Sequence, residues 1–392
     1  MKIPELNWPL MANNITPADL RGVADFVAGE PILTQSRKVL EFEAAWSQWL
    51  GVKHSVFVNS GSSANLVTLA VLKEIHGGGE VILPTLTWVS DITAAIHNDF
   101  DPVFVDIDPR TLGMDVEQIL AKITPKTRAV FITHILGYNA LNQRLITELK
   151  KRKIPLIEDV CESHGATFKG RKLGVFGWIS NFSFYYAHHL STIEGGMICT
   201  DDPAVYEIAR MMRGHGMVRE SLSPETRARY IAAHPDLNPD FIFAFPAYNV
   251  RSTELNAVIG LAQLPRLDAN NKLRSRNLAL FLKHLDGKKY FTDFAAEGSS
   301  NYAFTLILRK SDPKLWAKVE KLLRAAKVEF RRGTSGGGNQ LRQPYMRKLY
   351  PAIRPEDYPK VDHVHFYGCY LGNYPTLDPT RIETLCKLLN QL

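Results

Sequence analysis

The chain has 392 residues, of which 45% are hydrophobic, and it carries a formal net charge of +7 at pH 7. This length and composition suffice for one large hydrophobic core or two moderate ones, so we expect a globular chain of two lobes. No apolar run is long enough to span a bilayer, and the basic residues are spread along the sequence, which argues against a membrane protein and against a nucleic-acid binder.

The first residues and the cysteines indicate the compartment. The opening MKIPELNWPL lacks the basic and then apolar order of a signal peptide. The cysteines form no CxxC pair, which favours neither a zinc site nor a disulfide framework. They are Cys161, Cys199, Cys369 and Cys386. We therefore expect a cytoplasmic protein with reduced thiols.

Short apolar segments alternate with helical patterns through the first half of the chain. The expected strands are HSVFVNS, EVILPT, PVFVDID, RAVFITHI and IPLIEDV, and the expected helices between them include SSANLVTLAVLKEI, VSDITAAIHN and RLITELKKRK. Short strands divided by helices are typical of a parallel sheet that helices cover on both faces. SNFSFYY and GMICTDD predict two further strands, and AVYEIARMMR predicts another helix.

The last part of the chain has a different pattern. A helical stretch is expected from about Thr253 to Leu285, and the elements of a smaller α+β lobe follow it: YAFTLILR, KLWAKVEKLLRAAK, VEFRR and PTRIETLCKLLNQ. We therefore divide the chain into a large domain, residues 1–270, and a small C-terminal domain, residues 271–392. The glycine-rich GTSGGGNQ, residues 333–340, is typical of a flexible loop.

Three polar stretches follow strands, at the edge where ligands bind in open α/β sheets. NSGSSAN, residues 59–65, brings backbone N–H groups and hydroxyls to a helix N-terminus, where they could receive a phosphate or act only as a helix cap. EDVCESHGA, residues 158–166, places two acids and a histidine after a strand, where an aspartate can equally be a turn former. FYYAHHLSTIEGG, residues 184–196, holds two adjacent histidines, which could be site residues or buried core residues.

Taken together and in this order, these stretches resemble one family. The matching segments are ILTQSRKVLEFEAAWSQWLG, VNSGSSANL, LPTLTWVS, FVDID, IEDVCESHGA, the FSF to EGG stretch, RGHG and YNVRSTELNAVIGLAQL. The chain resembles the DegT/DnrJ/EryC1/StrS sugar aminotransferases, which are fold-type I enzymes that use pyridoxal phosphate (PLP). The resemblance implies an α/β fold like that of aspartate aminotransferase, with a large, mostly parallel sheet lobe and a smaller C-terminal α+β lobe.

The resemblance also implies roles for individual residues. Asp159 would pair with the pyridine nitrogen and keep it protonated, so that the ring accepts electrons. Trp88 would stack on the ring, and Glu162 would lie near the ring hydroxyl. The phosphate would be held by Gly61, Ser62 and Ser183, and by Asn249 of the neighbouring subunit. The resemblance thus implies a homodimer with shared active sites.

His188 stands where the family carries its Schiff-base lysine, six residues before Glu194 of the EGG motif. No lysine occurs in residues 174–271, so a shifted alignment does not supply the amine. Neighbouring side chains of an extended segment point to opposite faces, and we expect His188, not His189, to face the cofactor. Without the lysine the cofactor would be held non-covalently, chiefly as pyridoxamine phosphate (PMP). An imidazole, whose unperturbed pKa is about 6.5, would serve as general acid and base.

Histidine in place of lysine matches a subgroup of the family, the PMP-dependent 3-dehydratases of 4-keto-6-deoxy sugar nucleotides. This resemblance implies removal of the C3 oxygen from a sugar nucleotide, expected to be GDP-linked, with L-glutamate regenerating PMP. Some relatives use an iron–sulfur cluster and a partner reductase, but the scattered cysteines predict neither. Two alternatives remain: a sugar-nucleotide 4-aminotransferase that tolerates histidine, and a non-catalytic sensor with the same fold.

Three further residues are candidates for substrate contacts. His215 and Arg219 lie in RGHGMVRE, residues 213–220, where the histidine would line the sugar site and the arginine would meet the diphosphate. Arg331, next to Arg332 at the end of a small-lobe strand, is a further phosphate candidate. For the arginines, a solvated loop or an exposed charged pair is the competing interpretation.

Overall fold

A computed structural model describes residues 3–392 of the chain. Met1 and Lys2, which begin the stretch interpreted as lacking a signal peptide, lie outside these residues. Among the helices of the described part, none combines the length and the hydropathy that a membrane crossing requires.

The large lobe is organised around one twisted sheet. Its strands, with a short hairpin of β6 and β7, are β1 (His54–Val58), β2 (Glu80–Pro84), β3 (Asp101–Val105), β4 (Thr127–Thr133), β5 (Leu156–Asp159), β6 (Thr167–Phe168), β7 (Arg171–Lys172), β8 (Ile179–Ser183) and β9 (Gly196–Thr200). Within residues 3–392 the main sheet has seven strands in the order β1-β9-β8-β5-β4-β2-β3. In this order the strands β8, β5, β4, β2 and β3 are parallel to one another. β9 is antiparallel to both of its neighbours, β1 and β8. The expected parallel sheet is confirmed.

Helices cover both faces of this sheet and form much of the small lobe. The α-helices are α1 (Pro17–Ala28), α2 (Arg37–Leu50), α3 (Gly61–His76), α4 (Val89–His97), α5 (Val116–Ala121), α6 (Gln143–Arg152), α7 (Pro203–Arg213), α8 (Pro224–Ala233), α9 (Glu254–Gln263), α10 (Leu267–His284), α11 (Pro313–Ala325), α12 (Pro344–Leu349), α13 (Pro359–Tyr367) and α14 (Pro379–Asn390). Side-chain caps fix several of their starts. The Asp202 carboxylate, for example, accepts from the Ala204 amide at 2.8 Å at the start of α7.

A cluster of aromatic rings packs between α2 and the strands β1 and β8. Phe184, the first residue after β8, lies edge-on to Trp46 with ring centroids 4.8 Å apart, and its centroid lies 5.4 Å from that of Phe42. Burying a side chain of this size stabilises the fold by about 1.5–3 kcal/mol. The cluster therefore fixes the start of the loop that carries the two adjacent histidines.

The small lobe contains an antiparallel sheet in which β12 lies between the other two strands. These strands are β10 (Ala303–Ile307), β11 (Phe330–Arg332) and β12 (Gly368–Gly372). The beginning of the chain also packs here, because Trp8 pairs with Val328 and its indole N–H donates to the Gly372 carbonyl at 2.8 Å. α10 runs across residue 270, and the domain division at that residue stays a prediction.

The helical stretch expected from Thr253 to Leu285 is interrupted. α9 ends at Gln263, Pro265 lies in a short 3-10 turn, and α10 begins at Leu267. Proline has no amide hydrogen to donate within a helix and its ring crowds the preceding turn, which explains the break. One long helix is therefore replaced by two.

The glycine-rich segment 333–340 is not a loose loop. Thr334 and Ser335 are buried, and a side chain at Gly336 would collide with the Thr87 carbonyl oxygen. The expectation of a flexible loop is wrong because the glycines let the backbone pack tightly against the segment after β2. This packing brings small-lobe residues to the edge of the large sheet.

Candidate active site

The polar stretches singled out in the sequence meet at the carboxyl ends of the parallel strands. Asp159 ends β5 and Ser183 ends the neighbouring strand β8. Gly61 begins α3, and Trp88 lies between β2 and α4. The crossovers of a parallel sheet bring such ends to one edge, where ligands bind in this architecture.

The N-terminus of α3 lies against the end of β8. A Cβ atom at Gly61 would lie 2.6 Å from Ser183 Cβ, so this approach requires glycine. Ser60 accepts from the Ser63 amide at 3.0 Å, whereas Ser62 is exposed. A helix N-terminus with free amides and nearby hydroxyls fits a phosphate group.

Asp159 is buried and oriented by two donors. Its Oδ1 accepts from the Cys161 amide at 2.8 Å, and its Oδ2 accepts from the Asn65 side chain at 3.0 Å. Its side chain is only 3% exposed. Because both partners donate, the residue is arranged as an acceptor, which fits pairing with the protonated nitrogen of a pyridine ring.

Trp88 and Glu162 are the two remaining residues for which the family resemblance implies contacts with the cofactor ring. Trp88 is 55% exposed directly before α4, which is unusual for so large a ring and fits a stacking surface for a flat ligand. Glu162 accepts from the Leu136 amide at 2.8 Å and from the Ser335 hydroxyl at 2.6 Å. Burial raises the pKa of Glu162 to about 7.

His188 lies in the loop between β8 and β9 and is half-buried. Its ring centroid lies 5.5 Å from that of Tyr302 and 5.9 Å from that of His164. Its Nδ1 is buried, and no group among residues 3–392 hydrogen-bonds to it. The Asn14 side chain donates to its carbonyl oxygen at 2.5 Å and so holds the backbone of the loop.

The surroundings of His188 affect its acid–base property. Burial lowers its pKa to about 3, and the nearby charge of Arg274 acts in the same direction. This pKa lies below the unperturbed histidine value of about 6.5, and the acid–base role of His188 stays a prediction. The imidazole is neutral at pH 7, which is the form that can accept a proton.

The two adjacent histidines differ in burial and in hydrogen-bond partners, although the segment is a turn and not an extended strand and both rings lie near His164 and Tyr302. His189 is 2% exposed, and its Nε2–H donates to the Ser300 carbonyl at 3.0 Å. Its ring centroid lies 5.3 Å from that of His164, another fully buried imidazole. Burial lowers the pKa of both His164 and His189 well below the ordinary value. His189 thus has the features of a core residue.

The two lysines that follow Asp159 most closely in sequence are directed elsewhere. Lys169 donates to the Gln143 side chain at 2.8 Å, and Lys172 donates to the Trp49 carbonyl at 2.8 Å. Lys172 lies in β7, and Lys169 lies in the turn between β6 and β7. Neither supplies an amine beside His188.

The candidate substrate residues and Asn249 lie further out. Asn249 is exposed, and its backbone pairs with Gly214 beside the exposed His215. The guanidinium of Arg219, also exposed, lies 5.3 Å from the centre of the Phe241 ring. Their roles stay predictions.

Arg331 is connected to the site through two tyrosines. On β11 it stands opposite Tyr370, whose ring centroid lies 6.5 Å from that of Tyr302. Tyr302 in turn packs on His188. A role for Arg331 in binding substrate stays a prediction.

The sequence reasoning missed several residues of the site. Asn65 lies inside the NSGSSAN stretch, so its position could have been noticed there. Arg274, Tyr302 and Ser335 carried no local signal, because they reach the site from the small lobe and from α10. Residues 3–392 contain no group of three or more His, Cys, Asp or Glu side chains arranged to hold a metal ion.

A largely parallel sheet with a helix N-terminus, an oriented carboxylate and an exposed indole at one edge defines an α/β protein built to hold a flat, phosphorylated ligand. The chain belongs to the DegT/DnrJ/EryC1/StrS aminotransferase family, whose profile matches residues 14–390. The expected aspartate aminotransferase-like fold is confirmed by solved structures of PLP-dependent relatives.

Three relatives are similar to this chain over almost its whole length. It is 30% identical to GDP-4-keto-6-deoxy-D-mannose 3-dehydratase of Yersinia pseudotuberculosis, over 98% of this chain and 99% of that protein. It is 32% identical to GDP-perosamine synthase of Escherichia coli O157:H7, over 98% of each chain. The solved structure of E. coli GDP-4-keto-6-deoxy-D-mannose-3-dehydratase with bound hydrated PLP has a TM-score of 0.88 and 28% identity, covering 98% of this chain and 100% of that one.

Proposed function

We propose that this protein is a PMP- and PLP-dependent 3-dehydratase of a 4-keto-6-deoxy sugar nucleotide. The observation that carries the proposal is His188, a neutral imidazole with a free buried nitrogen at the position where the family resemblance expects lysine. The GDP-linked substrate is supported by the two relatives that are named for GDP sugars. Of the two, the 3-dehydratase fits a site without a lysine.

The cofactor would be held without a covalent bond. The start of α3 at Gly61 and Ser62, with Ser183, would hold its phosphate, Asp159 its ring nitrogen, and Trp88 its face. Glu162 would lie near the ring hydroxyl. When bound, the pyridoxamine form supplies a primary amine that combines with a ketone and a ring that takes up a pair of electrons.

His188 would move protons in both directions. The neutral imidazole can accept a proton, and its low pKa makes the resulting imidazolium a strong acid. A strong acid suits the departure of a hydroxyl group, which leaves as water once it is protonated. One side chain can therefore act as base and then as acid on the same substrate.

The overall reaction balances without an iron cluster or a reductase. The 4-keto-6-deoxy sugar nucleotide loses its C3 oxygen and becomes a 3,6-dideoxy-4-keto sugar nucleotide. L-glutamate is oxidised to 2-oxoglutarate, which takes up that oxygen in the balance, and its nitrogen leaves as ammonia. Glutamate thus supplies both the reducing electrons and the nitrogen that regenerates PMP.

The remaining assignments concern the substrate and the partner subunit. His215 would line the sugar site, and Arg219 and Arg331 would meet the diphosphate. Asn249 would reach the phosphate of the cofactor in the neighbouring subunit, which supports a homodimer with shared active sites. Asn249 is exposed, which is compatible with a contact to the partner subunit, and its backbone pairs with Gly214 beside His215.

The test follows nitrogen and oxygen together. With GDP-4-keto-6-deoxymannose, PMP and excess L-glutamate, we expect a nucleotide sugar lighter by one oxygen atom, with ammonia and 2-oxoglutarate formed in equal amounts. A 4-amino sugar without free ammonia would instead establish the aminotransferase alternative, which the perosamine synthase relative favours. PMP binding with no turnover on any 4-keto-6-deoxy sugar nucleotide would favour a sensor.

A further inference from the structure

A buried polar network lies directly behind Asp159. Asn65 on α3 is fully buried, and its amide nitrogen donates to Asp159 Oδ2 at 3.0 Å and to Asp91 Oδ1 at 2.7 Å. The Asn65 carbonyl oxygen accepts from the Asn181 side chain at 2.9 Å, and the Thr68 hydroxyl donates to Asn181 at 2.8 Å. This chain of donors fixes the amide, so two carboxyl groups share one amide nitrogen.

The other oxygen of Asp91 belongs to a triangle of oxygen atoms. Asp91 Oδ2 contacts both the Thr87 hydroxyl and the Thr133 hydroxyl, the latter at 2.6 Å, and the two hydroxyls lie 2.9 Å apart. If Asp91 is ionised, the two hydroxyls supply two hydrogen atoms and one of the three contacts has none. A proton on Asp91 supplies the third hydrogen atom and makes all three contacts hydrogen bonds.

Asp159 has a simpler set of partners. Both of its recorded side-chain partners, the Asn65 amide and the Cys161 backbone amide, donate to it. A carboxylate that receives two N–H donors is well satisfied as an anion. The contact between the two hydroxyls beside Asp91 therefore favours Asp91 over Asp159 as the site of the proton.

Burial and the neighbouring charge also favour a proton on Asp91. Asp91 is fully buried, and burial raises the pKa of its carboxyl well above the ordinary value, with the neighbouring Asp159 raising it further. The other titratable groups that face it are the Cys161 thiol and the Tyr345 phenol of α12, and burial raises the pKa of both, so they are neutral near pH 7. Two carboxyl groups this close cannot both hold a negative charge at low cost.

We propose that Asp91 is a positioning residue that stays a neutral carboxylic acid, so that Asp159 keeps the single negative charge of the pair and presents it to the ring nitrogen of the cofactor. The proposal deepens the proposed function and rests on its assignment of Asp159 to that nitrogen. Asn65 couples the two acids, because the same amide orients both. A charged Asp91 would instead place a second negative charge beside Asp159.

The first test measures the proton on Asp91 without any cofactor. In the folded protein the acid keeps its proton, whereas an unfolded aspartate releases it above about pH 4. The unfolding constant of the wild type should therefore rise about tenfold per pH unit relative to that of Asp91→Asn, from about pH 5.5 to 7.5. A ratio that does not change with pH would overturn the proposal.

The matched control is Asp106→Asn, at another buried carboxyl beyond the end of a strand. Asp106 accepts from the amides of Ile107, Lys360 and Val361, each at 2.9 Å, and therefore has the partners of an anion. The ratio of the wild-type unfolding constant to that of Asp106→Asn should not show this rise with pH.

If Asp91→Asn does not fold, carbon-13 NMR of the aspartate-labelled wild type replaces the comparison. One neutral carboxyl signal at pH 7 supports the proposal, and carboxylate signals alone refute it.

The second test measures the effect on the cofactor site through PMP binding. Asn65→Ala removes the shared amide and frees the Asp159 carboxylate to rotate, so PMP affinity should fall about tenfold, the scale of a lost hydrogen bond to a charged group. The absorption of bound PMP should also report ring deprotonation at a lower pH than in the wild type, which a general loss of packing would not produce. The control is Asn98→Ala, whose buried amide donates only to the carbonyls of Leu66 and Ala94.

The two proposals fail separately. PMP affinity of Asn65→Ala equal to that of the wild type would overturn the positioning role even if the enzyme dehydrates its substrate. A wild type that forms a 4-amino sugar would overturn the dehydratase assignment, yet the proton on Asp91 and the effect of Asn65→Ala on PMP would still be measurable.

Discussion

His188 and His189 are adjacent but differ in what surrounds them, and this difference leads to opposite expectations for the same substitution. The free Nδ1 of His188 belongs to a half-buried ring beside Tyr302, whereas His189 is bonded to the Ser300 carbonyl in the core. Asparagine resembles histidine in size but has no ring nitrogen that can accept and return a proton.

For His188→Asn we expect retained folding and PMP binding, with the dehydration rate reduced by about 100-fold or more, the usual contribution of a general acid–base group. His189→Asn serves as the control and should cost about 1 kcal/mol in unfolding free energy while leaving the rate within about tenfold. Single-turnover rates with PMP and chemical unfolding measure the two effects. The reverse pattern would show that the other imidazole is the acid–base group.

Glu162 gives an expectation for the dependence of stability on pH. Burial raises its folded pKa to about 7, above the ordinary glutamate value, so the folded protein binds a proton that the unfolded chain has released. Its stabilising contribution is full below the unfolded pKa and is lost as pH rises through about 7. Glu162→Gln should therefore become more stable relative to the wild type between pH 5 and 8. Chemical unfolding at several pH values measures this difference, and a constant difference would mean that Glu162 is already ionised at pH 5.

At the scale of elements, the start of α3 depends on one glycine. Gly61→Ala would place Cβ 2.6 Å from Ser183 Cβ, so the helix must move away from β8. We expect a loss of about 1–3 kcal/mol in unfolding free energy from overpacking, together with weaker PMP binding because the amides no longer reach the phosphate. Gly22→Ala in α1 is the control: it meets no atom within 4 Å and should be neutral or slightly stabilising. Calorimetry and PMP titration of both variants make the comparison, and equal PMP affinity would exclude a phosphate role for this helix end.

The sequence predicted elements well where their own residues determine them. Alternating apolar strands and amphipathic helices located β1 to β5 and their helices, because hydrophobic periodicity is a local property. The strand β12 and the break at Pro265 were not predicted, the first because GCYLG is short and has no distinctive pattern. The 333–340 segment was misjudged because its packing depends on contacts with the segment after β2, which composition does not reveal.

The same reason limits prediction of the site. Asp159 and His188 lie in motifs next to strand ends, so their positions could be predicted from the sequence. Other groups that tune the site do not lie in such motifs, since Arg274 and Ser335 reach the site from distant segments. The low pKa of His188 could not be predicted either, because it results from burial and from a charge on α10.

At the scale of the whole molecule, one exposed segment is compatible with the proposed association with a second copy. The segment after α7 exposes large apolar side chains, including Leu237, Phe241 and Phe243, close in sequence to Asn249. Monomeric proteins seldom expose several such residues together, and patches of this kind mark interfaces. The proposed homodimer would bury this surface and bring Asn249 to the cofactor of the partner subunit.

Mixing two inactive variants tests this arrangement. If each site uses His188 of one subunit and Asn249 of the other, a mixed dimer of His188→Asn and Asn249→Ala contains one intact site. Random exchange of subunits at equal concentrations makes half of the dimers mixed, so activity should recover to about one quarter of the wild-type value. The control mixes His188→Asn with Asp159→Asn, whose residues belong to the same subunit's site by this proposal, and should give no recovery. Exchange is verified by native mass spectrometry, and mixed dimers without recovered activity would show that Asn249 does not complete the neighbouring site.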